Sequence, residues 1–228
     1  MSEMSSRKLR TIELLAPAKN YEQGRAAILC GADALYVGAP RFGARSAAGV
    51  PEEEIVRLCD LAHRFGAKVY VAMNTLLYEQ ELADAERIAC RMWNAGADAL
   101  IVQDMAFLRM ELPPVELHAS TQVCNTDPQR VRFLSEAGFT RVILERALSL
   151  EEIGRLSRAA DVEIETFVHG AICVSYSGRC YMSRTMGPRS GNRGDCSQSC
   201  RLPYDLLDER MRPLERNRHL LSLQDMNA

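Results

Sequence analysis

The sequence contains no run of 18 apolar residues, so no segment is long enough to span a membrane as a helix, and no membrane partner is expected. Its first ten residues, MSEMSSRKLR, lack the apolar h-region of a secretory signal. Residues 1–11 are therefore expected to form a disordered lead, and the cytoplasm is the expected compartment. A large charge of either sign is also missing. The 28 Lys and Arg against 30 Asp and Glu leave a formal net charge of −2, which gives no global attraction to nucleic acid. There is no H-E-x-x-H pair of a zinc peptidase and no G-x-S-x-G turn of a serine hydrolase.

What is present is enough apolar material for one sizeable core: 228 residues, 47% of them hydrophobic. Short apolar runs alternate with helical patterns. Strands are expected over 12–15, 34–37, 68–73, 98–102, 115–119, 141–144 and 162–168. Helices are expected over 17–30, 51–65, 79–95, 105–110, 127–137 and 150–160. Pro51 opens the second, with Glu52, Glu53 and Glu54 in its first turn. Ser149 and Glu152 form a capping box for the last. This alternation implies an α/β fold with a parallel sheet, either open and doubly wound or closing toward a TIM-type (β/α) barrel. The tail departs from it. A hairpin is expected over 203–223, with strands 204–207 and 219–223 around Asp208-Glu209, then the first turn of another helix over 224–228.

In parallel α/β folds the chemistry gathers at the C-terminal ends of the strands. That rule selects Asn74, Gln103, Asp104, His118, Gln122, Glu145, Arg146, Glu165 and His169. His169 is the histidine best placed to move a proton, with a loop histidine bonded to backbone as the ordinary alternative. Glu165 either orients His169 or substrate, or bonds within the barrel interior. His118 reads as a core histidine with its bonds satisfied. His63 and His219 are assigned no role. Arg41, Arg45, Arg146, Arg184 and Arg189 are candidates for binding carboxylate or phosphate, with plain surface solvation as the alternative.

The most distinctive stretch follows the seventh strand: ETFVHGAICVSYSGRCYMSRTMGPRSGNRGDCSQSC, residues 165–200. It places Cys173, Cys180, Cys196 and Cys200 in the spacing C-x6-C-x15-C-x3-C within a Gly-rich loop, residues 169–201. Disulfides would require an oxidising compartment. Zinc suits Cys196 and Cys200, but the six residues between Cys173 and Cys180 are wide for it. An iron–sulfur cluster takes four thiolates at irregular spacing. Four unlinked thiols are the remaining reading. The segment is also locally basic, with nine Arg against five acidic residues over 173–218, which suits either a solvated surface or contact with RNA. Cys30, Cys59 and Cys90 lie in helical patterns and read as core or ordinary thiols. Cys124 lies in a loop.

Glu165-x-Phe167-x-x-Gly170-Ala171-Ile172-Cys173-x4-Gly178-x-Cys180-x-Met182-Ser183 resembles the signature of the peptidase U32 family without departure. Asn192-Arg193-Gly194-Asp195-Cys196 and Cys200-Arg201 resemble the block that follows it in that family. ELLAPA (13–18), GADALYVG (31–38) and RFGARSAAG (41–49) are also similar, so the likeness spans about residues 12–228. The resemblance implies a TIM-type barrel. It implies oxygen-independent hydroxylases acting on tRNA uridine, on large-subunit rRNA cytidine or in the ubiquinone pathway, the last holding a 4Fe–4S cluster on cysteines of this loop. SGNRGDCSQSCRLPY is most similar to the rRNA-hydroxylase branch. By this resemblance the metal ligands are Cys173, Cys180, Cys196 and Cys200, with zinc as the alternative metal and prephenate as a candidate oxygen donor. His169 and Glu165 are the catalytic candidates, and Arg41, Arg45, Asn74, Gln122, Arg146, Arg184 and Arg189 the substrate-binding ones. RNA is the expected partner, with homo- or hetero-oligomers open. A collagenase-like peptidase, from which the family is named, and a non-catalytic cluster-bearing subunit of a hydroxylation complex are the rival readings. Residues 12–228 are expected to form one barrel domain that ends before its last strand.

Overall fold

A computed structural model of the chain describes residues 12–45 and 49–222. Seven parallel strands form one curled sheet in sequential order: β1 (Leu15–Ala18), β2 (Ala34–Gly38), β3 (Lys68–Met73), β4 (Ala99–Val102), β5 (Glu116–Ala119), β6 (Arg141–Ile143) and β7 (Glu163–Glu165). Each strand pairs only with its neighbours in the chain, and β7 does not pair with β1, so the half-barrel is open along one side. The helices α1 (Tyr21–Leu29), α2 (Glu52–Arg64), α3 (Leu82–Asn94), α4 (Pro128–Glu136) and α5 (Leu150–Leu156) connect them. None is long and apolar enough to cross a membrane.

The two faces of the sheet differ. Outward residues such as Leu35, Val37, Val69, Val71, Leu100, Val102 and Val142 pack with Ile55, Leu58, Ala62, Ile88, Met92 and Leu134 from the helices, forming the main core. Strand alternation turns Ala34, Tyr70, Ala72, Ala99, Ile101 and Ile143 inward as a second, smaller cluster. The apolar face expected on α2 is confirmed, with Ile55, Leu58, Cys59 and Ala62 all buried. Gly24 of α1 lies so close to α2 that a Cβ there would stand 2.3 Å from a methyl of Leu58. The Ser149–Glu152 capping box forms as expected, with the Ser149 amide donating to Glu152 at 2.8 Å.

Several boundaries differ from the sequence expectation. The first strand is not 12–15 and Pro17 does not start a helix: Pro17 lies inside β1, an edge strand, where its missing N–H costs no ladder bond on the open side. The first helix starts four residues later at Tyr21, capped by the Asn20 side chain accepting from the Gln23 amide at 2.9 Å. Helix α3 begins at Leu82, after a 3-10 turn at Glu79–Glu81, and α5 ends at Leu156. The seventh strand stops at Glu165 because β6 offers pairing only through Ile143, and Phe167 and Val168 are exposed.

In the tail, β8 (Tyr204–Leu207) pairs antiparallel with β9 (Pro213–Arg218), which replaces the expected strand at 219–223. Asp208 fixes the turn by accepting from the amides of Arg210 at 2.8 Å and Arg212 at 2.9 Å. The expected helix turn at 224–228 and the lead at 1–11 lie outside the described residues.

Candidate active site

The inner face of the sheet carries a partly buried charge network, centred on buried Arg141, that the sequence reading did not anticipate. Arg141 starts β6 and points into the barrel, where it donates to Glu13 at 2.6 Å, to Glu163 at 2.6 Å and to Glu165 at 3.4 Å. Its guanidinium lies 4.9 Å from the ring centre of Tyr70, whose hydroxyl donates to Glu13 at 2.8 Å. Burial works against the charged form of Arg141, but the carboxylates prevail and hold its pKa above the ordinary arginine value. Burial also opposes the charge on Glu13, and bonds from Arg141 and Tyr70 outweigh it and lower its pKa. Glu165 is different. Burial dominates the pull of Arg141 and raises its pKa.

Glu165 therefore bonds within the barrel interior, and no hydrogen bond joins it to His169. His118 lies beside this network in an edge-on contact with Tyr70, ring centres 4.8 Å apart. It is a core histidine, but not a satisfied one: among the described residues both ring nitrogens are buried without hydrogen-bond partners. Burial, and next the Arg141 charge, push its pKa down to about 3, so the ring is neutral and its 3.5 Å approach to Glu116 is not an ion pair at neutral pH.

The open interior of the half-barrel, from the strand starts at Lys68 and Thr140 past Arg141 to the strand ends, forms one broad concavity of about 2990 Å³. Of the sequence candidates it brings together Arg45, Asn74, Gln122, Arg146, Glu165, His169 and Arg189 with all four loop cysteines. Arg41 and Arg184 lie outside it. Arg41 pairs with Asp84, and Arg184 donates to the Pro188 carbonyl at 3.4 Å. Arg189 is held by Asp195 at 2.8 Å and by the Cys196 carbonyl at 3.1 Å, so it braces the loop. Arg146 lies 4.3 Å from the ring centre of Phe167. Asn74 is buried and bonded to the Ala44 amide at 2.8 Å and to the Ser120 hydroxyl at 3.1 Å, so it anchors the loop after β2. Asp104 is likewise structural, accepting from the amides of Leu77 at 2.8 Å and Ala106 at 2.9 Å.

The cysteine loop contains little regular structure beyond α6 (Met182–Met186) and is pinned by a few polar contacts. Buried Glu145, at the end of β6, accepts the Ser177 amide. Gly178, at φ +73°, presses against the turn after β5, where a Cβ would stand 1.8 Å from the Gln122 carbonyl oxygen. Arg193 grips Glu81 through two bonds of 2.7 Å. The Asn192 carbonyl accepts the Leu76 amide at 3.0 Å, and Arg201 donates to the Ile172 carbonyl at 2.9 Å. Glu145 belongs to the strand-end set; Arg193 and Arg201 stand in the motif blocks, but their clamping roles depend on contacts far along the chain.

The thiols are gathered by this frame. Cys200 has its pKa raised by burial and then by the neighbouring charges of Cys173, Cys196 and Cys180. The Gln198 amide donates to the Cys196 sulfur at 3.4 Å, a bond of the kind that steadies a thiolate ligand. The donor set, four sulfurs of which Cys196 has hydrogen-bond support, fits a thiolate-ligated centre. Among the described residues no three His, Cys, Asp or Glu side chains stand at metal-binding distance, so binding would draw the thiols together. The other cysteines behave differently. Cys59 is buried with its pKa pushed up to about 12, and Cys124 is buried in a left-handed turn at φ +66°.

Comparison with known proteins adds to this geometry. Residues 19–228 match the family model of Peptidase family U32. The chain is 49% identical over 214 residues to the 23S rRNA 5-hydroxycytidine C2501 synthase of Escherichia coli, covering 94% of this chain and 33% of that protein. It is 40% identical to the tRNA hydroxylation protein P1 of Bacillus subtilis, covering 85% of this chain and 47% of the relative. It is 31% identical to a collagenase of Porphyromonas gingivalis, covering 86% and 51%. The chain thus spans about a third to a half of the length of these curated relatives. A solved U32 peptidase structure shares the fold at TM-score 0.58 and 17% identity, covering 68% of each chain.

Proposed function

The chain belongs to peptidase family U32, and from that membership we propose that it takes part in hydroxylating a base of ribosomal or transfer RNA, with a 4Fe–4S cluster held by Cys173, Cys180, Cys196 and Cys200. The observation that carries this reading is the single cavity that joins the strand ends to all four thiols and to Arg45, Arg146 and His169. The relatives named for rRNA and tRNA hydroxylation supply the substrate class.

Replacing a base C–H by C–OH is a two-electron oxidation of the base; the oxygen comes from a donor, for which a carboxylate-bearing molecule such as prephenate is proposed, whose C–OH bond breaks and whose carbon takes up the two electrons and a proton to become C–H. When bound, the cluster supplies electron transfer or activation of that donor without molecular oxygen. The chain's own residues do the rest. Arg45 and Arg146 line the cavity as cations for the donor carboxylate or an RNA phosphate. Phe167 fixes the Arg146 guanidinium from beneath. His169, exposed at the cavity rim, moves a proton. Glu165, bound to Arg141, is a buried support of the inner wall and not the partner of His169.

Among the described residues no hydrogen bond links His169 to Ser175 or Cys173 as a peptidase's nucleophile–base pair would require, and the Ser175 hydroxyl turns to the Tyr176 carbonyl at 3.4 Å. Mass spectrometry of total rRNA and tRNA nucleosides from a deletion strain tests the proposal. One hydroxylated nucleoside is expected to vanish and to return with the wild-type gene but not with Cys173→Ala. An unchanged profile, together with peptide cleavage that survives Cys173→Ala, would sink it. Anaerobically purified protein is expected to be brown with about four iron atoms per chain; stoichiometric zinc without iron replaces the cluster with the alternative metal.

A further inference from the structure

Beside the large cavity lies a second one of about 550 Å³, between the loop after β4 and helix α4. Gln122 lines both cavities and forms the wall between them. Leu76, Met105 and Leu134 form the apolar part of the smaller one, Asp127 and Arg130 its charged part, and Phe133 stands at it with 59% of its surface exposed. Gln103 also lines it. Gln103 is 6% exposed, and its side-chain oxygen is buried without a hydrogen-bond partner among the described residues.

An orphaned buried amide oxygen costs about 1–3 kcal/mol, so it takes its donor from a water or from a ligand, and the Gln103 amide must turn toward the cavity to meet the latter. A side-chain amide offers one acceptor and two donors in a plane, which matches the edge of a nucleobase. An exposed aromatic ring offers the face on which a base stacks. Volumes of this order hold small planar ligands.

We propose that this cavity holds a second nucleobase of the same RNA strand, next to the one presented in the large cavity, stacked on Phe133 and edge-bonded by Gln103. The shared wall at Gln122 puts the two bases in neighbouring compartments, as for consecutive nucleotides splayed from a single strand. This inference rests on the RNA reading above and assigns the second base a place.

The test is fluorescence-anisotropy binding of a single-stranded RNA heptamer to the full chain, with heptamers carrying one abasic residue at each position in turn. Wild type is expected to lose affinity at two adjacent abasic positions. Phe133→Ala, an exposed truncation that leaves the core intact, is expected to bind the intact heptamer about tenfold more weakly and to lose sensitivity at one of those two positions only, the size of a single base–aromatic stack. Gln103→Leu should weaken binding at the same position, and circular dichroism reports whether that buried variant folds. Wild-type affinity for every heptamer in Phe133→Ala overturns the inference while leaving RNA binding in place. No RNA binding by any form overturns both readings. If free cytidine or adenosine displaces the heptamer at equal base concentration, the cavity is a free-nucleoside site and the inference also falls.

Discussion

The barrel body and the cysteine loop are held by opposite means. The body buries a continuous outward core to which the sheet and all of α1 to α5 contribute. The loop has almost no apolar core of its own: Ile172, Val174, Tyr176, Tyr181 and Met186 are exposed. Its course depends on a handful of polar or steric contacts. Distributed packing makes the body tolerant in shape and costly to unfold. Concentrated clamps make the loop cheap to displace, which suits a segment that closes around a group it does not enclose in advance.

The comparison breaks if damage to one region spreads to the other. The largest effect on stability is expected in the body. Leu58→Ala removes a fully buried side chain wedged against Gly24 and should cost about 2–5 kcal/mol in urea unfolding, with the iron of the proposed cluster unchanged per folded chain. A loss of iron in step with stability would show the two regions to be one unit. Next comes the loop. In Gly178→Ala the new methyl meets the Gln122 carbonyl and the positive φ disfavours it, so the Cys173–Cys180 segment should lift from the strand ends. Metal affinity is expected to drop about 10- to 100-fold, read by chelator competition, while the unfolding midpoint of the metal-free protein barely moves.

The smallest effect concerns the inner face between them. The pKa of Glu165 is raised above its ordinary 4.5 by burial, so its stabilising contribution is complete below that value and is lost as pH rises through the folded pKa. Glu13, lowered by Arg141 and Tyr70 against its burial, acts in the opposite sense, losing its contribution as pH falls. Glu165→Gln should therefore gain on wild type in urea midpoint as pH rises from about 4.5, with the two profiles parallel at higher pH. A wild type that gains on the variant over that range would mean Arg141 stabilises the Glu165 carboxylate more than burial opposes it.

Much of the body was legible because buried parallel strands carry unbroken apolar runs, as in 68–73 and 98–102, and amphipathic helices such as α2 carry a clear stripe. Legibility failed where local signals conflict with position in the sheet. Pro17 reads as a helix start, and only its place on an edge makes it a strand residue. Strand β9 has no buried face and hence no alternation to detect. In the site, spacing pointed to the four thiols and to strand-end polar residues, but not to their partners. Asn74 and Arg189 turn out to brace loops, and Arg41 and Arg184 stand outside the cavity. Arg141 escaped notice because an arginine at the start of a strand looks like a solvated end. Its burial is decided by Glu13, 128 residues earlier.

That separation has a consequence in time. Emerging from the ribosome at about 5–20 residues per second, the chain exposes Glu13 some 6 to 25 seconds before Arg141 is made. Until then, of the network described, only Tyr70 is there to bond that carboxylate. The inner wall is thus completed late, by Arg141 and then by Glu163 and Glu165, and it cannot take its shape on a nascent chain that has reached only its fifth strand.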